Sequence, residues 1–303
     1  MQISTSQLYD RSATLMAKLS QKADTLQNQI SSTVKLSAPS DDVVAYQRLA
    51  TLKQGKADDA ATGASVSLAQ SLLQQSDTTL GSVQNELQHA AELVVQANSD
   101  TLTDANRATI ATQLKNVLDD LVGLANTRDA RGQPLFGAST GDTAVTRNPD
   151  GSVSFTGTGE VPPIPIGDGQ SIQATDSASR IFGGIATASG SSDVFAILSK
   201  FAAALDAGGS VQTAAADAGD GINAALTQVT SVSSSVGARA ARLDMVSSQL
   251  TETAANRETD RSALEDTDVT AAITELQKTM TILSATQASF TKLSQMSLFD
   301  YLK

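Results

Sequence analysis

The stretch from Val66 to Val94, VSLAQSLLQQSDTTLGSVQNELQHAAELV, decides the fold of this 303-residue chain. Its large apolar side chains return at every seventh residue, and small or branched apolar residues fill companion positions such as Ala69, Val83 and Ala90. A sustained seven-residue repeat predicts a long helix whose apolar seam packs on another helix. The seam consists of Val66, Leu73, Leu80, Leu87 and Val94.

The same repeat returns in the second half of the chain. Its members are Ile222, Val229, Val236, Leu243 and Leu250. A further helix is predicted between the two repeats, because Thr103-Asp104 can cap a helix start and apolar residues then step by four and three. They are Ile110, Leu114, Val117, Leu121 and Leu124. The two repeats therefore predict long helices on both sides of the middle of the chain.

Both ends of the chain carry narrower apolar stripes with polar flanks. The N-terminal stripe consists of Leu8, Leu15, Leu19, Leu26 and Ile30. The C-terminal stripe consists of Val269, Ile273, Leu276, Met280, Leu283, Phe290 and Leu293. Because an unpaired stripe is costly in water, we expect the two to pair with each other, giving a rod with both termini at one end. Stripes this sparse also fit segments that fold fully only against neighbouring subunits, although they would equally suit an ordinary coiled coil.

Two interruptions separate the end stripes from the long repeats. Pro39 breaks the first helical run, and Asp41 and Asp42 follow where they can cap and charge the start of the next helix. Near the other end, Ser262-Ala263-Leu264-Glu265 fits a capping box, followed by Asp266. Helix-break motifs are therefore predicted at Pro39, Asp41 and Asp42 and at Ser262, Glu265 and Asp266.

The middle of the chain has a different composition, rich in glycine, proline, threonine and serine. Short β-prone segments lie at Val153–Thr156 and Val161–Ile166, and turns are predicted at 148–151 and 167–169. A short helix from about Asp193 to Leu205 should lead out of this region. The fold class predicted is mainly α, with a long antiparallel coiled-coil rod formed by the N- and C-terminal halves and a small β-rich outer domain in the middle. The predicted divisions are 1–36, 37–136, 137–190, 191–215, 216–262 and 263–303, of which the first and last contain the two end stripes.

Composition excludes several classes of function. The net charge of -11 and the scattered lysines and arginines argue against nucleic-acid binding. The chain contains no cysteine, so disulfides and thiolate metal sites are excluded. The first fifteen residues lack the continuous apolar segment of a cleaved secretion signal, and no stretch reaches the roughly 18 apolar residues that span a membrane.

Few residues suggest chemistry. His89 lies between Glu86 and Glu92 at three-residue spacing, which could hold a metal, but charged residues at this spacing are ordinary on coiled-coil surfaces. The pairs Asp150-Gly151 and Asp168-Gly169 fit turns better than calcium loops, because regularly spaced additional acids are missing. We therefore predict no catalytic, cofactor-binding or metal site.

Several motifs resemble those of one family. The opening 1–9, MQISTSQLY, and the ending 297–302, SLFDYL, resemble the flagellar hook–filament junction proteins of the flagellin superfamily, the FlgL type. The segments 36–42, LSAPSDD, and 264–268, LEDTD, resemble the helix breaks of this family. The segments 132–137, GQPLFG, and 236–239, VGAR, resemble the exit into its outer domain and its returning helix.

The resemblance implies a structural adaptor of the bacterial flagellum that polymerises through its terminal helices and is no enzyme. It implies an extracellular location reached by flagellar type III export without signal cleavage. Implied partners are further copies of the chain in a ring or tube, a second hook–filament junction protein, flagellin, and an export chaperone on the C-terminal helix. Implied assembly residues are the N-terminal stripe, Leu8 to Ile30, and, near the C-terminus, Ile273, Leu276, Met280, Leu283, Phe290, Leu293 and Leu298.

Two other functions remain possible from the sequence. The first is a filament flagellin or a flagellin-like surface protein, which a seeded self-assembly test would separate from a junction protein. The second is an enzyme or a carbohydrate-binding module housed in residues 138–190. That segment is short, and it offers only Phe155 and Phe182 as aromatic residues and no catalytic set.

Overall fold

A computed structural model gives the structure of the chain and describes residues 5–99, 101–139, 143–157, 159–188 and 190–296. The helices are α1 (Thr5–Ser32), α2 (Val43–Ala97), α3 (Asp104–Ala125), α4 (Ala178–Phe182), α5 (Val194–Ala207), α6 (Gln212–Glu265) and α7 (Val269–Met296). The strands are β1 (Val145–Arg147), β2 (Val153–Phe155), β3 (Ile164–Gly167), β4 (Gln170–Ile172), β5 (Ile185–Thr187) and β6 (Gly190–Ser192). The fold is mainly α, with a strand-rich insert between long helices, as predicted.

The chain divides into two compact units. Unit 1 comprises Met1–Asp58 and Glu252–Lys303, and unit 2 comprises Asp59–Thr251. The boundaries lie inside α2 and α6. The sequence-based divisions were drawn at the helix breaks and at the changes of composition, and they stay predictions.

Unit 2 contains one hydrophobic core built on the two seven-residue repeats. Every member of the first repeat is buried, as are Ile222, Val229, Val236 and Leu243 of the second. The two helices pack antiparallel, because Gln70 of α2 donates a hydrogen bond to Asp244 of α6, whereas Asp77 accepts one from Ser233. The seven-residue spacing thus places both seams in one interface, which confirms the core predicted from the repeats.

The remaining helices and the insert complete this core. The predicted third helix, α3, buries Ile110, Leu114, Val117 and Leu121 and packs on α5. The insert forms three antiparallel hairpins, β1–β2, β3–β4 and β5–β6. Their inward residues, among them Val145, Ile166, Ile172 and Ile185, belong to the same hydrophobic cluster as the helices. The strand-rich segment is therefore packed on the helices of unit 2.

The predicted turns and the predicted short helix are present. Gly151, with φ of +85°, closes the β1–β2 turn, and its N–H donates to the carbonyl of Asn148 at 3.0 Å. Gly167, Asp168 and Gly169 all have positive φ at the β3–β4 turn, a conformation that favours glycine. The short helix α5 begins after Asp193, whose side chain accepts a hydrogen bond from the Ala196 N–H. Helix α4 and the hairpin β5–β6 were not predicted.

Among the described residues, none of the helices combines the length and the apolar character needed to cross a membrane.

Candidate assembly interface at the two ends of the chain

The two end helices pack on each other within unit 1. Tyr9 of α1 and Phe290 of α7 meet edge to face, with ring centroids 5.3 Å apart. Lys22 Nζ lies 2.5 Å from Glu275 Oε1 farther along the pair. Because the residue number rises in α1 while it falls in α7, the helices run antiparallel. The expected pairing of the N-terminal stripe with the C-terminal stripe is present in this unit.

The pairing uses only part of each predicted stripe. Residues of the stripes that are half-buried in the pair are Leu19, Leu26, Ile30, Leu276, Leu283 and Phe290. By contrast, Leu15 is 49 % exposed, Ile273 is 41 % exposed and Met280 is 53 % exposed. Ile273 and Met280 are seven residues apart and so lie on one face of α7. Helix α7 therefore carries an exposed apolar face beside the one that packs on α1.

Three predicted assembly positions cannot be assigned a contact. The side chains of Leu8 and Leu293 lie outside the described part of the chain, as does Leu298 entirely.

The two helix breaks are hydrogen-bonded to each other, which the sequence did not reveal. Val34 and Asp266 form an antiparallel bridge. On its two sides the Lys35 N–H donates to the Glu265 carbonyl at 2.6 Å, and the Thr267 N–H donates to the Thr33 carbonyl at 2.9 Å. The two connectors therefore form a single junction in unit 1, which fixes the register of α1 against α7.

The first break is built as predicted. Asp42 Oδ1 accepts a hydrogen bond from the Ala45 N–H at 3.0 Å and so caps α2. Asp41 Oδ2 accepts the N–H groups of Ser37 and Ala38, both at 3.0 Å, and thereby closes the turn around Pro39. The hydrogen bonds from these backbone groups, that of Ala38 above all, hold the pKa of the exposed Asp41 carboxyl below its usual range. Both carboxylates are structural.

The second break lies at residues 266–268, so it includes the predicted Asp266 but begins after Ser262 and Glu265. Helix α6 continues through Glu265, so Ser262 lies inside its last turn, where its hydroxyl donates to Asp266 Oδ2 at 2.6 Å. The residue that caps α7 is Asp268, whose Oδ1 accepts the Ala271 N–H at 3.0 Å. The predicted capping box is therefore wrong. A Ser-x-x-Glu spacing also fits side chains within a helix, and here the glutamate is used in an ion pair.

That ion pair belongs to a charge cluster where α2 and α6 meet in unit 1. Arg261 lies 2.9 Å from Glu258 and 2.5 Å from Glu265. Two lysines of α2 bind the same carboxylates: Lys53 lies 2.7 Å from Glu265, and Lys56 lies 3.1 Å from Glu258. The Arg261 hydrogen bond to Glu258 and the Lys53 hydrogen bond to Glu265 hold the pKa of both carboxyls low, while the two acids raise the pKa of Arg261. This helix pair is thus held largely by charge.

Comparison with known families assigns both helical halves. The family described as "Bacterial flagellin N-terminal helical region" matches residues 3–140, and the family described as "Bacterial flagellin C-terminal helical region" matches residues 220–302. Together the two matches cover most of the chain.

The chain belongs to the bacterial flagellin family.

Individual relatives place this flagellin-family chain with the hook–filament junction members. It is 26 % identical to flagellar hook-associated protein 3 of Escherichia coli, over 91 % of each chain. It is 24 % identical to flagellar hook-associated protein 3 of Salmonella typhimurium, over 99 % of each chain. The relatives thus support a junction subunit and do not favour a filament flagellin.

Solved structures of such proteins share the fold. A flagellar hook-associated protein from Vibrio parahaemolyticus superimposes with a TM-score of 0.67 at 21 % identity, covering 75 % of this chain and 100 % of that one. Hook-associated protein 3 from Legionella pneumophila gives a TM-score of 0.64 at 15 % identity, covering 71 % of this chain and 98 % of that one. At these identities the likeness establishes the fold.

The one histidine of this flagellin-family chain lies on the surface. His89 Nδ1 is 3.8 Å from Glu92, and both side chains are largely exposed. In the part of the chain that the structure describes, no three histidine, aspartate or glutamate side chains come together as a metal site would require. An i, i+3 surface pair accounts for both residues.

Proposed function

We propose that this chain is a structural adaptor at the hook–filament junction of the bacterial flagellum, which assembles with neighbouring subunits through α1 and α7. Its membership of the flagellin family makes it a structural component of the flagellum. Its relatives, which it matches over almost their whole length, favour the junction. We assign it no catalytic role.

The observation that carries the assembly role is the second apolar face of α7. Ile273 and Met280 are exposed although the adjacent face of the same helix packs on α1. Burying such a side chain from full exposure contributes about 1.5–3 kcal/mol, of which roughly half remains because Ile273 is 41 % and Met280 53 % exposed. Exposed apolar side chains grouped on one face are typical of interaction sites. A neighbouring subunit that covered this face would therefore be stabilised by burial of these two side chains, which the isolated chain leaves partly exposed to water.

The finer assignments rest on the resemblance of the motifs. The proposed partners are further copies of this chain in a ring or tube, a second hook–filament junction protein and flagellin. We also propose extracellular location after type III export without signal cleavage, and an export chaperone that binds α7. The uncovered face of α7 supports a chaperone, because an apolar surface awaiting assembly needs protection beforehand.

Paired substitutions on α7 test the assembly role. The variant Ile273→Asp/Met280→Asp places two charges on the exposed face, and Thr274→Asp places one on the adjacent exposed residue as a control. Both are produced in bacteria that lack their own copy of the protein. We expect the double variant to disappear from sheared flagella and to abolish swimming, while the control retains both.

The helical content of each variant, measured by circular dichroism, should match that of the wild-type chain, because all three side chains are exposed. Normal incorporation of the folded double variant would contradict the proposed role of α7.

A further inference from the structure

A shallow groove follows the exposed face of α1, and one apolar side chain, Leu15, lies among its lining residues. Leu15 is 49 % exposed and lies between two basic residues, Arg11 and Lys18, one turn to either side. The groove has a volume of about 660 Å³ and is also lined by Gln7, Asp10, Ser12 and Thr14. Neither Arg11 nor Lys18 forms an ion pair with another described residue. The groove thus offers one exposed leucine within a polar lining whose net charge is positive.

A second exposed apolar feature of unit 1 is a knob at the start of α2. Val43 is 57 % exposed and Val44 is 77 % exposed. Two acidic residues, Asp41 and Asp42, precede them directly. Because both carboxylates are engaged with backbone N–H groups, they are held in place as anions beside the valines. The knob therefore has an apolar tip with a fixed acidic rim.

The groove and the knob complement each other in both properties. We propose that the Val43–Val44 knob of one copy docks in the Leu15 groove of a second copy, with Asp41 and Asp42 facing Arg11 and Lys18. This inference rests on the proposed assembly function and identifies one contact that would build it. Apolar burial supplies attraction, and the charged rims set orientation and partner choice.

The contact is head-to-tail, because each surface repels itself. Two grooves would bring their basic rims together, and two knobs would bring four carboxylates together, both of which are unfavourable. Pairing one surface with a different surface on the next copy is a heterologous contact, which generates rings or open helical assemblies. A symmetric dimer through either surface is not expected.

The contact cannot readily form within one chain. Leu15 precedes the end of α1 at Ser32 by about 25 Å at 1.5 Å per residue, and the knob begins only after the following turn. The break holds its two connectors together by the Val34–Asp266 bridge, so α1 cannot fold back on the start of α2 without breaking it. The proposed partner is therefore a second copy.

Cysteine cross-linking tests the contact, since the chain contains no cysteine of its own. Two single variants, Leu15→Cys and Val44→Cys, carry tags of different size and are produced together in bacteria that lack the wild-type protein. Flagella are sheared off and oxidised mildly. We expect a cross-linked heterodimer of the two variants and little of either homodimer.

The control replaces Val44→Cys by Val95→Cys, another strongly exposed valine of α2 that belongs to unit 2. A heterodimer yield no higher than in this control, or a predominance of homodimers, would overturn the proposed contact. If the chains are recovered in flagella but do not cross-link, the inference fails and the assembly function stands. If the folded wild-type chain is itself not incorporated, the proposed function fails and the inference fails with it.

Charge reversal gives an independent measurement should the cysteine variants assemble poorly. Arg11→Glu/Lys18→Glu should lower the amount of chain in flagella severalfold, whereas Gln7→Glu, in the same groove, should change it little. Unchanged incorporation of the charge-reversed chain would contradict the proposal.

Discussion

A buried ion pair attaches the strand-rich insert to α6. Asp176 lies in the loop before α4, and its side chain is only 2 % exposed. Arg239 of α6 pairs with Asp176 Oδ2, and its Nη1 also donates to the Gln173 carbonyl at 2.7 Å. Arg180 Nη1 lies 3.0 Å from the other carboxylate oxygen, at an angle that suits an ion pair rather than a hydrogen bond. Replacing Arg239→Met should therefore leave a buried carboxylate with one largely exposed partner.

The magnitude follows from this burial. Removing one partner of a buried ion pair costs about 3–5 kcal/mol, and because Arg180 remains nearby we expect about 3 kcal/mol. For a unit the size of Asp59–Thr251, each kcal/mol lowers the melting temperature by about 2–4 °C, so the loss should be roughly 6–12 °C. Arg242→Met is the matched control. Its exposed side chain donates only to the neutral Gln170 amide oxygen, so it should cost at most about 1 kcal/mol.

Thermal unfolding followed by far-ultraviolet circular dichroism measures these values. The double variant Asp176→Asn/Arg239→Met removes the stranded charge, so it should melt above Arg239→Met alone, a coupling that a double-mutant cycle isolates. A melting temperature for Arg239→Met within 2 °C of the control, or a double variant no more stable than the arginine variant, would refute the reasoning. Either result would mean that contacts other than this ion pair hold the insert on α6.

Three other outcomes are expected. Leu87→Ala should destabilise unit 2 by about 2–5 kcal/mol in urea unfolding, because Leu87 is fully buried, whereas Val95→Ala at an exposed position should cost under about 0.5 kcal/mol. Asp42→Ala should remove the cap of α2 and cost about 1 kcal/mol locally, seen as faster amide exchange at Ala45 and absent from Asp42→Asn. Since the folded pKa of Glu265 is lowered, its contribution is fully present above its unfolded value of 4.5 and is lost as the pH falls through the folded value. The amide-exchange protection of residues 252–265, expressed relative to the intrinsic exchange rate at each pH, should therefore be lower at pH 3 than at pH 6, and equal protection would contradict this.

The core of unit 2 could be predicted because the same seven-residue repeat occurs in two segments of the chain, and each segment can serve as the packing partner of the other. A seven-residue spacing sustained from Val66 to Val94 and again from Ile222 to Leu243 leaves few alternatives to two long packed helices. The structure of the insert was harder to predict from the sequence. Its strands are three or four residues long, too short for alternation to show which side is buried, and β6 contains glycine and serine in place of β-branched residues. The strands of the insert contribute to the same hydrophobic core as the helices, and this depends on long-range packing that no local sequence pattern encodes.

The end helices show a different limit. The stripe of α7 predicted both the packed and the exposed positions, but the spacing alone could not separate Leu276, which packs, from Met280, which does not. Only the partner helix decides that division. The predicted capping box was wrong for a related reason, since α6 ends at the bridge between Asp266 and Val34, which depends on the fold around it, and Asp268 caps α7.

The distribution of buried residues ties these observations to function. The apolar core cluster of the chain lies in unit 2, whereas the described part of unit 1 contains few buried apolar residues: Ala23, Leu36, Leu49 and Ala272. Its other contacts are half-buried apolar side chains and exposed ion pairs such as Lys22–Glu275, which typically contribute under about 1 kcal/mol each. Its helices are long, yet much of their apolar surface remains uncovered. The proposed assembly with a neighbouring subunit would bury part of this surface, and assembly would then stabilise the fold of the two ends.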